Sequence, residues 1–196
     1  MLPIVITGGP CAGKTSALSF LRRELEDRHF TPILVPECAT ALIAAGIAPW
    51  SATRLGFQTA VFELQLAQEE AYGRAAARMG ERCLQILDRG LMDGLGYLSD
   101  EEFAGLLEGH GITEDAACAR YGAVFHLEST AKGFDEAYTL ANNASRMEEI
   151  EEALQVEERI LKAWAHHPAR YVIHNQEHFE EKCENLLKGV LAYLGQ

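Results

Sequence analysis

Short apolar runs alternate with longer amphipathic segments along this chain. The runs rich in Val, Ile and Leu predict buried strands near residues 2–7, 32–35, 83–88, 121–127 and 171–174. Strands that are apolar throughout, rather than at every second residue, are typical of a parallel sheet that is covered on both faces. The pattern therefore predicts an α/β domain with a mostly parallel sheet and helices on both sides.

Segments with helical periodicity lie between these strands. Helices are predicted after the first strand to about residue 28, then over 38–46, from residue 51 to about 79, over 147–164 and over 177–194. Ser51 is the candidate N-cap of the long third helix. Residues 99–120 are a predicted insertion of two short helices around Gly109-His110-Gly111. A single domain over residues 1–196 is expected.

A glycine-rich loop follows the first strand at once. Residues 8–15 match G-x-x-x-x-G-K-[ST], the phosphate-binding P-loop. The loop stands between an apolar strand and an amphipathic helix, as a phosphate site at a strand-to-helix junction requires. The motif predicts that the chain binds a nucleoside triphosphate.

Each position of this loop has a predicted task. Gly8 and Gly13 allow backbone angles that a Cβ would block, and the amides after Pro10 are expected to bind phosphate. Lys14 should reach the β- and γ-phosphates, while the Thr15 hydroxyl should ligate Mg²⁺. The predicted nucleotide-binding residues of the loop are Gly8, Gly9, Pro10, Cys11, Ala12, Gly13, Lys14, Thr15 and Ser16.

Charged side chains follow the second and third strands. The carboxyl ends of parallel strands share one edge with the P-loop, so Glu37 and the pair Asp88-Arg89 are expected around the γ-phosphate. Asp88 is the candidate acid that holds Mg²⁺, and Glu37 is the candidate general base for an acceptor hydroxyl. Arg89 is a candidate for binding the acceptor. Asp93 either caps a helix or holds a substrate, and the sequence leaves both readings open.

A lid is predicted over about residues 130–147. Arg146 is the arginine best placed to stabilise charge on a transferring phosphoryl group, with Arg159 and Lys132 in reserve. An arginine on a mobile segment fills this role in phosphotransferases.

Two further residues complete the predicted site. Arg54, on the long helix, is expected to line an acceptor pocket together with Glu37 and Arg89, near Phe57 and Gln58. Asn175 follows the fifth strand, where a nucleotide base is expected. The choice between ATP and GTP stays open.

Composition narrows the class of protein. The formal net charge of −12 disfavours polynucleotides and anionic membranes as partners. The five dispersed cysteines contain no C-x-x-C motif and suggest reduced thiols, and no apolar stretch is long enough to span a bilayer. A cytoplasmic location is expected. The sequence leaves the oligomeric state open, and a homodimer is one of the forms that it permits.

Four segments carry a resemblance to a known family: residues 7–15, residues 35–39, residues 87–90 with Asp93, and residues 142–146. They resemble a family of small P-loop AAA-domain proteins. That family groups with the nicotinamide riboside kinase domain and the TRPL translocation defect proteins, within the P-loop kinase superfamily. The resemblance extends from Ile4 to about Leu194.

The resemblance has implications for fold and site. It implies a P-loop NTPase three-layer α/β/α sandwich, a five-stranded parallel sheet in the order 2-3-1-4-5, ATP or GTP with Mg²⁺, and a lid after the fourth strand. It supports binding of phosphate and metal by Lys14 and Thr15, and binding of the metal by Asp88. It also supports a position near the acceptor for Glu37 and a position in the lid for Arg146. The lid departs from the pattern of many kinases, because it has a single clear arginine.

Two functions from different classes fit these features. One is a kinase that transfers the γ-phosphoryl group to a hydroxyl of a nucleoside-like metabolite. The other is a nucleotide-dependent switch or NTPase without a small-molecule acceptor. A kinase needs an acceptor pocket beside the γ-phosphate, whereas a switch does not. The absence of N-K-x-D and L-S-G-G-Q disfavours Ras-like GTPases and transporter-type ATPases.

Overall fold

The strand before the glycine-rich loop lies at the centre of a parallel sheet. The computed structural model describes residues 2–51, 53–80, 82–130 and 144–196, and only the backbone of 144–150. Its strands are β1 (Ile4–Thr7), β2 (Thr31–Val35), β3 (Cys83–Asp88), β4 (Ala123–Leu127) and β5 (Arg170–Ile173). Their order is β2-β3-β1-β4-β5, and each neighbouring pair is parallel. The predicted α/β fold with P-loop NTPase strand order is confirmed.

Helices connect the strands. In chain order they are α1 (Lys14–Glu26), α2 (Cys38–Ala44), α3 (Arg54–Met79), α4 (Asp100–Gly109), α5 (Glu114–Cys118), α6 (Ala144–Ala163) and α7 (Phe179–Tyr193), with a 3-10 helix at Leu91–Gly96. Within the described part of the chain, no helix combines the length and the apolar character that crossing a membrane demands.

The helices cover both faces of the sheet because successive strand residues point in opposite directions. Ile4 and Ile6 belong to a core shared with α1 and α7. Val5 belongs to a second core, which includes residues of α3, α4, α6 and the 3-10 helix. The result is a three-layer arrangement with a buried apolar cluster on each side of β1.

The observed start of α3 corrects one prediction. Thr53, and not Ser51, is the N-cap of this helix, since its side chain accepts a hydrogen bond from the amide of Gly56 at 3.0 Å. The Ser51 hydroxyl is engaged in the preceding turn, where it accepts a hydrogen bond from the amide of Ala48 at 2.8 Å. Both residue types are good caps, and the turn decides between them.

The insertion between β3 and β4 contains the two predicted short helices, α4 and α5. Ser99 begins α4 with a capping box, in which Ser99 and Glu102 each bond the other's amide. The turn between the two helices includes Gly111 with a φ of 65°.

The loops that follow the strands meet at one edge of the sheet. All five strands run in the same direction, so the segments after Thr7, Val35, Asp88, Leu127 and Ile173 leave from their carboxyl ends. The register pairs Ile6 with Asp88, so the third strand ends next to the start of the glycine-rich loop. This edge holds most of the charged residues that were predicted from the sequence.

Candidate nucleotide and phosphoryl-transfer site

The glycine-rich loop needs glycine at two positions for different contacts. Gly8 has a φ of 144°, and a Cβ there would lie 2.2 Å from the carbonyl oxygen of Leu127. Gly13 has a φ of 80°, and its Cβ would lie 2.5 Å from the ring of Phe179. The loop therefore turns tightly between β4 and α7, in a conformation that side chains would prevent.

Side chains behind the loop hold its carbonyl oxygens. Ser129 donates to Pro10 at 2.7 Å, Thr130 to Cys11 at 3.0 Å and Lys182 to Ala12 at 3.1 Å. The C=O and N–H of a trans peptide point in opposite directions, and the described residues contain no cis peptide. The amides of residues 11–13 therefore face away from these side chains. Consecutive amides that face one side form an anion-binding concavity.

Lys14 closes over the start of the loop. Its ammonium group donates to the carbonyl oxygens of Gly8 and Gly9, each at 3.2 Å. Burial, followed by the neighbouring Arg89 cation, lowers the pKa of Lys14. Thr15 and Ser16 are exposed in the first turn of α1, whose positive end adds to the attraction for an anion.

Asp88 supplies a buried carboxylate oxygen at the end of β3. Its Oδ1 atom has no hydrogen-bond partner among the described residues. Burial raises the pKa of Asp88 to about 6, against the opposing attraction of Lys14. A buried acceptor without a donor is costly unless a cation or water satisfies it, so this oxygen fits a magnesium ligand.

Glu37 and Arg89 form an ion pair beside the loop. The Arg89 Nε donates to Glu37 Oε1 at 2.7 Å, and its Nη1 donates to the carbonyl oxygen of Gly8 at 3.2 Å. Burial would raise the pKa of Glu37, but Arg89, Thr40 and Lys14 together lower it below its ordinary value. Glu37 is therefore ionised at neutral pH. The expected proximity of Glu37 and Arg89 is observed.

Asp93 connects this ion pair to the core. It is almost fully buried and accepts hydrogen bonds from the Thr7 hydroxyl and from the Trp164 indole N–H at 2.6 Å. Arg89 Nη1 lies 3.4 Å from Asp93 Oδ2. The sequence left open whether Asp93 caps a helix or holds a substrate. The structure shows a third role, in which Asp93 anchors the Arg89 side chain.

A cavity of about 180 Å³ lies against the ion pair. Its lining includes Glu37, Arg89, Asp93, Gln58, Gln65, Phe57, Phe62, Tyr97, Leu98 and Leu106. Apolar walls with a few convergent polar groups are typical of small-molecule sites. Glu37, Arg89 and two residues of α3, Phe57 and Gln58, border this cavity, and its use as an acceptor pocket stays a prediction.

Arg54 does not line this cavity. Its guanidinium pairs with Glu102 on α4 at 2.8 Å and is largely exposed. A contact between Arg54 and an acceptor stays a prediction, and the observed geometry attaches this side chain to the insertion.

Asn175 supports the loops around the site. Its Nδ2 donates to the carbonyl oxygen of Ser129 at 2.8 Å, and its Oδ1 accepts from Lys182 at 3.0 Å. Its backbone amide donates to the carboxylate of Glu128 at 3.0 Å. Contact with a nucleotide base stays a prediction for this residue.

The predicted lid lies mostly outside the described residues. Lys132 is among residues 131–143, which are outside the described residues. Arg146 lies in the first turn of α6, where the structure describes only the backbone. The reserve candidate Arg159 donates to the carbonyl oxygens of Leu95 and Leu98. Arg159 therefore holds the end of the 3-10 helix.

Lys182 also belongs to this site, although it is not among the residues predicted from the sequence. It is buried on α7, and its ammonium group donates to Ala12, to Asn175 and to the carbonyl oxygen of Glu128. One cation thus joins the glycine-rich loop to the segments after β4 and β5. A signal exists in the sequence, since Lys182 lies one helical turn before the buried Leu186 on an otherwise apolar face.

A larger groove of about 770 Å³ lies elsewhere, between the insertion and the end of α6. Its walls include Phe103, Leu107, Ile112 and Lys162, and none of the residues of the glycine-rich loop. The smaller cavity is the better candidate for the site because it adjoins Glu37 and Arg89.

Comparison with known proteins agrees with this geometry. A family model described as an AAA domain matches residues 3–182. The chain belongs to this AAA-domain family. Its glycine-rich loop is therefore the nucleotide-binding P-loop of an AAA domain. Among curated proteins, none matches the sequence significantly.

Proposed function

We propose that this protein is a kinase that transfers the γ-phosphoryl group of Mg-ATP or Mg-GTP to a hydroxyl of a small, nucleoside-like metabolite. The closer relation to the nicotinamide riboside kinase domain and the TRPL translocation defect proteins is part of the same proposal. Membership of the P-loop AAA-domain family supports the nucleotide half of the reaction.

The cavity beside the Glu37–Arg89 ion pair carries the proposal. A kinase must hold an acceptor next to the phosphate site, and this cavity borders both Glu37 and the arginine that bonds the Gly8 carbonyl oxygen. Its apolar walls with a few convergent polar groups are the lining that small-molecule sites commonly have. A nucleotide switch has no need of such a pocket.

The roles on the nucleotide side follow from the P-loop. Residues 8–16 would bind the nucleotide, with the amides that follow Pro10 and the Lys14 ammonium on the phosphates, and Asn175 would lie near the base. Thr15 and Asp88 would hold Mg²⁺, which when bound neutralises charge on the β- and γ-phosphates. Lys14 and Arg146 would stabilise the charge on the transferring group.

The roles on the acceptor side follow from the ion pair. Arg89, with Arg54 at greater distance, would bind the acceptor. The Glu37 carboxylate would take the hydroxyl proton as the acceptor oxygen forms a bond to the γ-phosphorus, and the bond from that phosphorus to the bridging oxygen breaks. Glu37 suits this task because it is ionised and adjoins the cavity.

The test is a substrate panel with matched variants. Purified protein is incubated with Mg-ATP or Mg-GTP and pools of nucleosides, nicotinamide riboside, nucleotides and sugars. Lys14→Ala removes the P-loop cation, and Lys188→Ala removes an exposed lysine of α7 as the control. We expect a phosphorylated metabolite with the wild type and the control but not with Lys14→Ala. Tight nucleotide binding without acceptor-dependent turnover would contradict the kinase for this panel and favour the switch.

A further inference from the structure

A carboxylate that the proposed reaction does not use is buried in the middle of α3. Glu69 is 5% exposed and accepts four hydrogen bonds. Its Oε2 accepts from Arg120 at 3.0 and 2.9 Å, while its Oε1 accepts from the Tyr121 hydroxyl at 2.8 Å and the Gln65 amide at 3.2 Å. Such a network is costly to build and calls for an explanation.

The two neutral partners of Glu69 continue to the loop after β3. The Gln65 Nε2 donates to the carbonyl oxygen of Arg89 at 3.0 Å. The Tyr121 hydroxyl accepts from the amide of Leu91 at 2.8 Å. These contacts hold the peptide groups on both sides of Gly90.

Glu69 decides how its partners are oriented. An ionised carboxylate only accepts hydrogen bonds, whereas a glutamine amide has a donor end and an acceptor end, and a hydroxyl hydrogen rotates. Because Glu69 accepts from both, the NH₂ end of Gln65 faces Arg89, and a lone pair of Tyr121 faces Leu91. Without the carboxylate, both groups are free to turn.

The loop that these groups hold is strained. Arg89 has a φ of 80°, in the left-handed region that disfavours residues with a Cβ. In this conformation its guanidinium reaches Glu37 and the P-loop carbonyl of Gly8. Strain of this kind persists only where the surroundings impose it.

We infer that Glu69 is a positioning residue for Arg89, and this inference rests on the proposed function for its catalytic consequence. Glu69 orients Gln65 and Tyr121, which impose the backbone conformation that aims the arginine at Glu37. Arg120 lies just after α5 and supplies the positive charge that pairs with Glu69. The end of the insertion therefore contributes to the same hydrogen-bond network.

The primary test reads Arg89 directly and needs no acceptor. The Arg89 Nε–H signal is followed by ¹⁵N–¹H NMR and assigned with Arg89→Lys. We expect Glu69→Gln to shift or abolish this signal, because the bond to Glu37 is no longer imposed. Glu70→Gln is the matched control, since it removes the next, exposed carboxylate of α3. An unchanged Arg89 signal in folded Glu69→Gln would overturn the inference.

A second variant, Tyr121→Phe, tests the same inference if the Glu69→Gln protein does not fold. Tyr121→Phe keeps the ring that packs edge-on against Trp164 but removes the acceptor of the Leu91 amide. We expect its Leu91 amide and Arg89 Nε–H signals to shift together. A shift of the Leu91 signal alone would contradict the coupling to Arg89.

Kinetics separate positioning from a purely structural role. With an acceptor from the panel, Glu69→Gln should lower kcat about tenfold or more while nucleotide affinity stays within about twofold. A lower melting temperature with unchanged kcat per folded molecule would indicate a structural role only. If no acceptor is found, the proposed function fails, and the NMR result still decides the role of Glu69.

Discussion

Replacing Asp88 by asparagine should stabilise the protein at neutral pH while it weakens binding of Mg²⁺. The reason is that Asp88, half-buried at the end of β3, has a fully buried Oδ1 without a hydrogen-bond partner among the described residues. At neutral pH the wild type keeps a desolvated negative charge there, and asparagine has the same shape without the charge.

The magnitude follows from the pKa of Asp88, which burial raises from 3.8 to about 6. At about 1.4 kcal/mol for each pKa unit, the ionised form costs about 3 kcal/mol relative to the unfolded chain. We expect the free energy of unfolding of Asp88→Asn to exceed that of the wild type by about 1–3 kcal/mol at pH 7.5.

The sign of the pH dependence is also determined. Since the pKa is higher in the folded state, the protonated acid stabilises the wild type below about pH 4, and this contribution is lost as the pH rises through about 6. The difference between variant and wild type should therefore be largest above pH 6 and vanish near pH 4.

The assay is urea unfolding at pH 4, 5, 6 and 7.5 with EDTA and without nucleotide. Asp115→Asn, an exposed acid of α5, is the control and should change stability by less than about 0.5 kcal/mol. An Asp88→Asn protein that is less stable than the wild type at pH 7.5, or that keeps the same difference at every pH, would show that the Asp88 charge does not destabilise the folded protein.

Three further predictions concern the loop and its neighbours. Lys182→Met should lower the free energy of unfolding, measured with urea, by about 1–3 kcal/mol, because the oxygens that Lys182 bonds lose their donor. The same free energy of unfolding in Lys182→Met and in the control Lys188→Met would contradict this prediction. Iodoacetamide at pH 8 should label the exposed Cys11 more slowly when Mg-ATP is present, as measured by peptide mass spectrometry. Cys38 should stay unlabelled, because burial raises its pKa to about 12. Labelling of Cys11 at the same rate with and without Mg-ATP would argue against nucleotide binding at the loop. Glu37→Gln should lower acceptor-dependent turnover about 10²- to 10⁴-fold with nucleotide affinity retained, and near-normal initial rates would exclude Glu37 as the base.

Much of the fold could be predicted because each strand is encoded by a short run of apolar residues in the sequence. The apolar run 83–88 predicts a buried strand and coincides with β3, including its terminal Asp88. The rule that parallel strands end at one edge then brings Glu37 near Arg89, and these side chains are 2.7 Å apart.

Other features depend on packing between distant segments. The Lys182 contacts join residues up to 170 positions apart, and no local pattern indicates which oxygens it will meet. Arg54 is on the predicted helix but pairs with Glu102, because the capping box of α4 presents that carboxylate. The choice of Thr53 over Ser51 as the cap depends on the turn that occupies the Ser51 hydroxyl.

Nucleotide binding by the glycine-rich loop can be measured by calorimetric titration of Mg-ATP and Mg-GTP into the wild type, Lys14→Ala and the control Lys188→Ala. A hydrogen bond to a charged group contributes about 1.5–3 kcal/mol, so Lys14→Ala should bind about 10- to 100-fold more weakly. The control should match the wild type. Equal affinity in Lys14→Ala, or no binding of either nucleotide to the wild type, would contradict the assignment of this loop as the phosphate site.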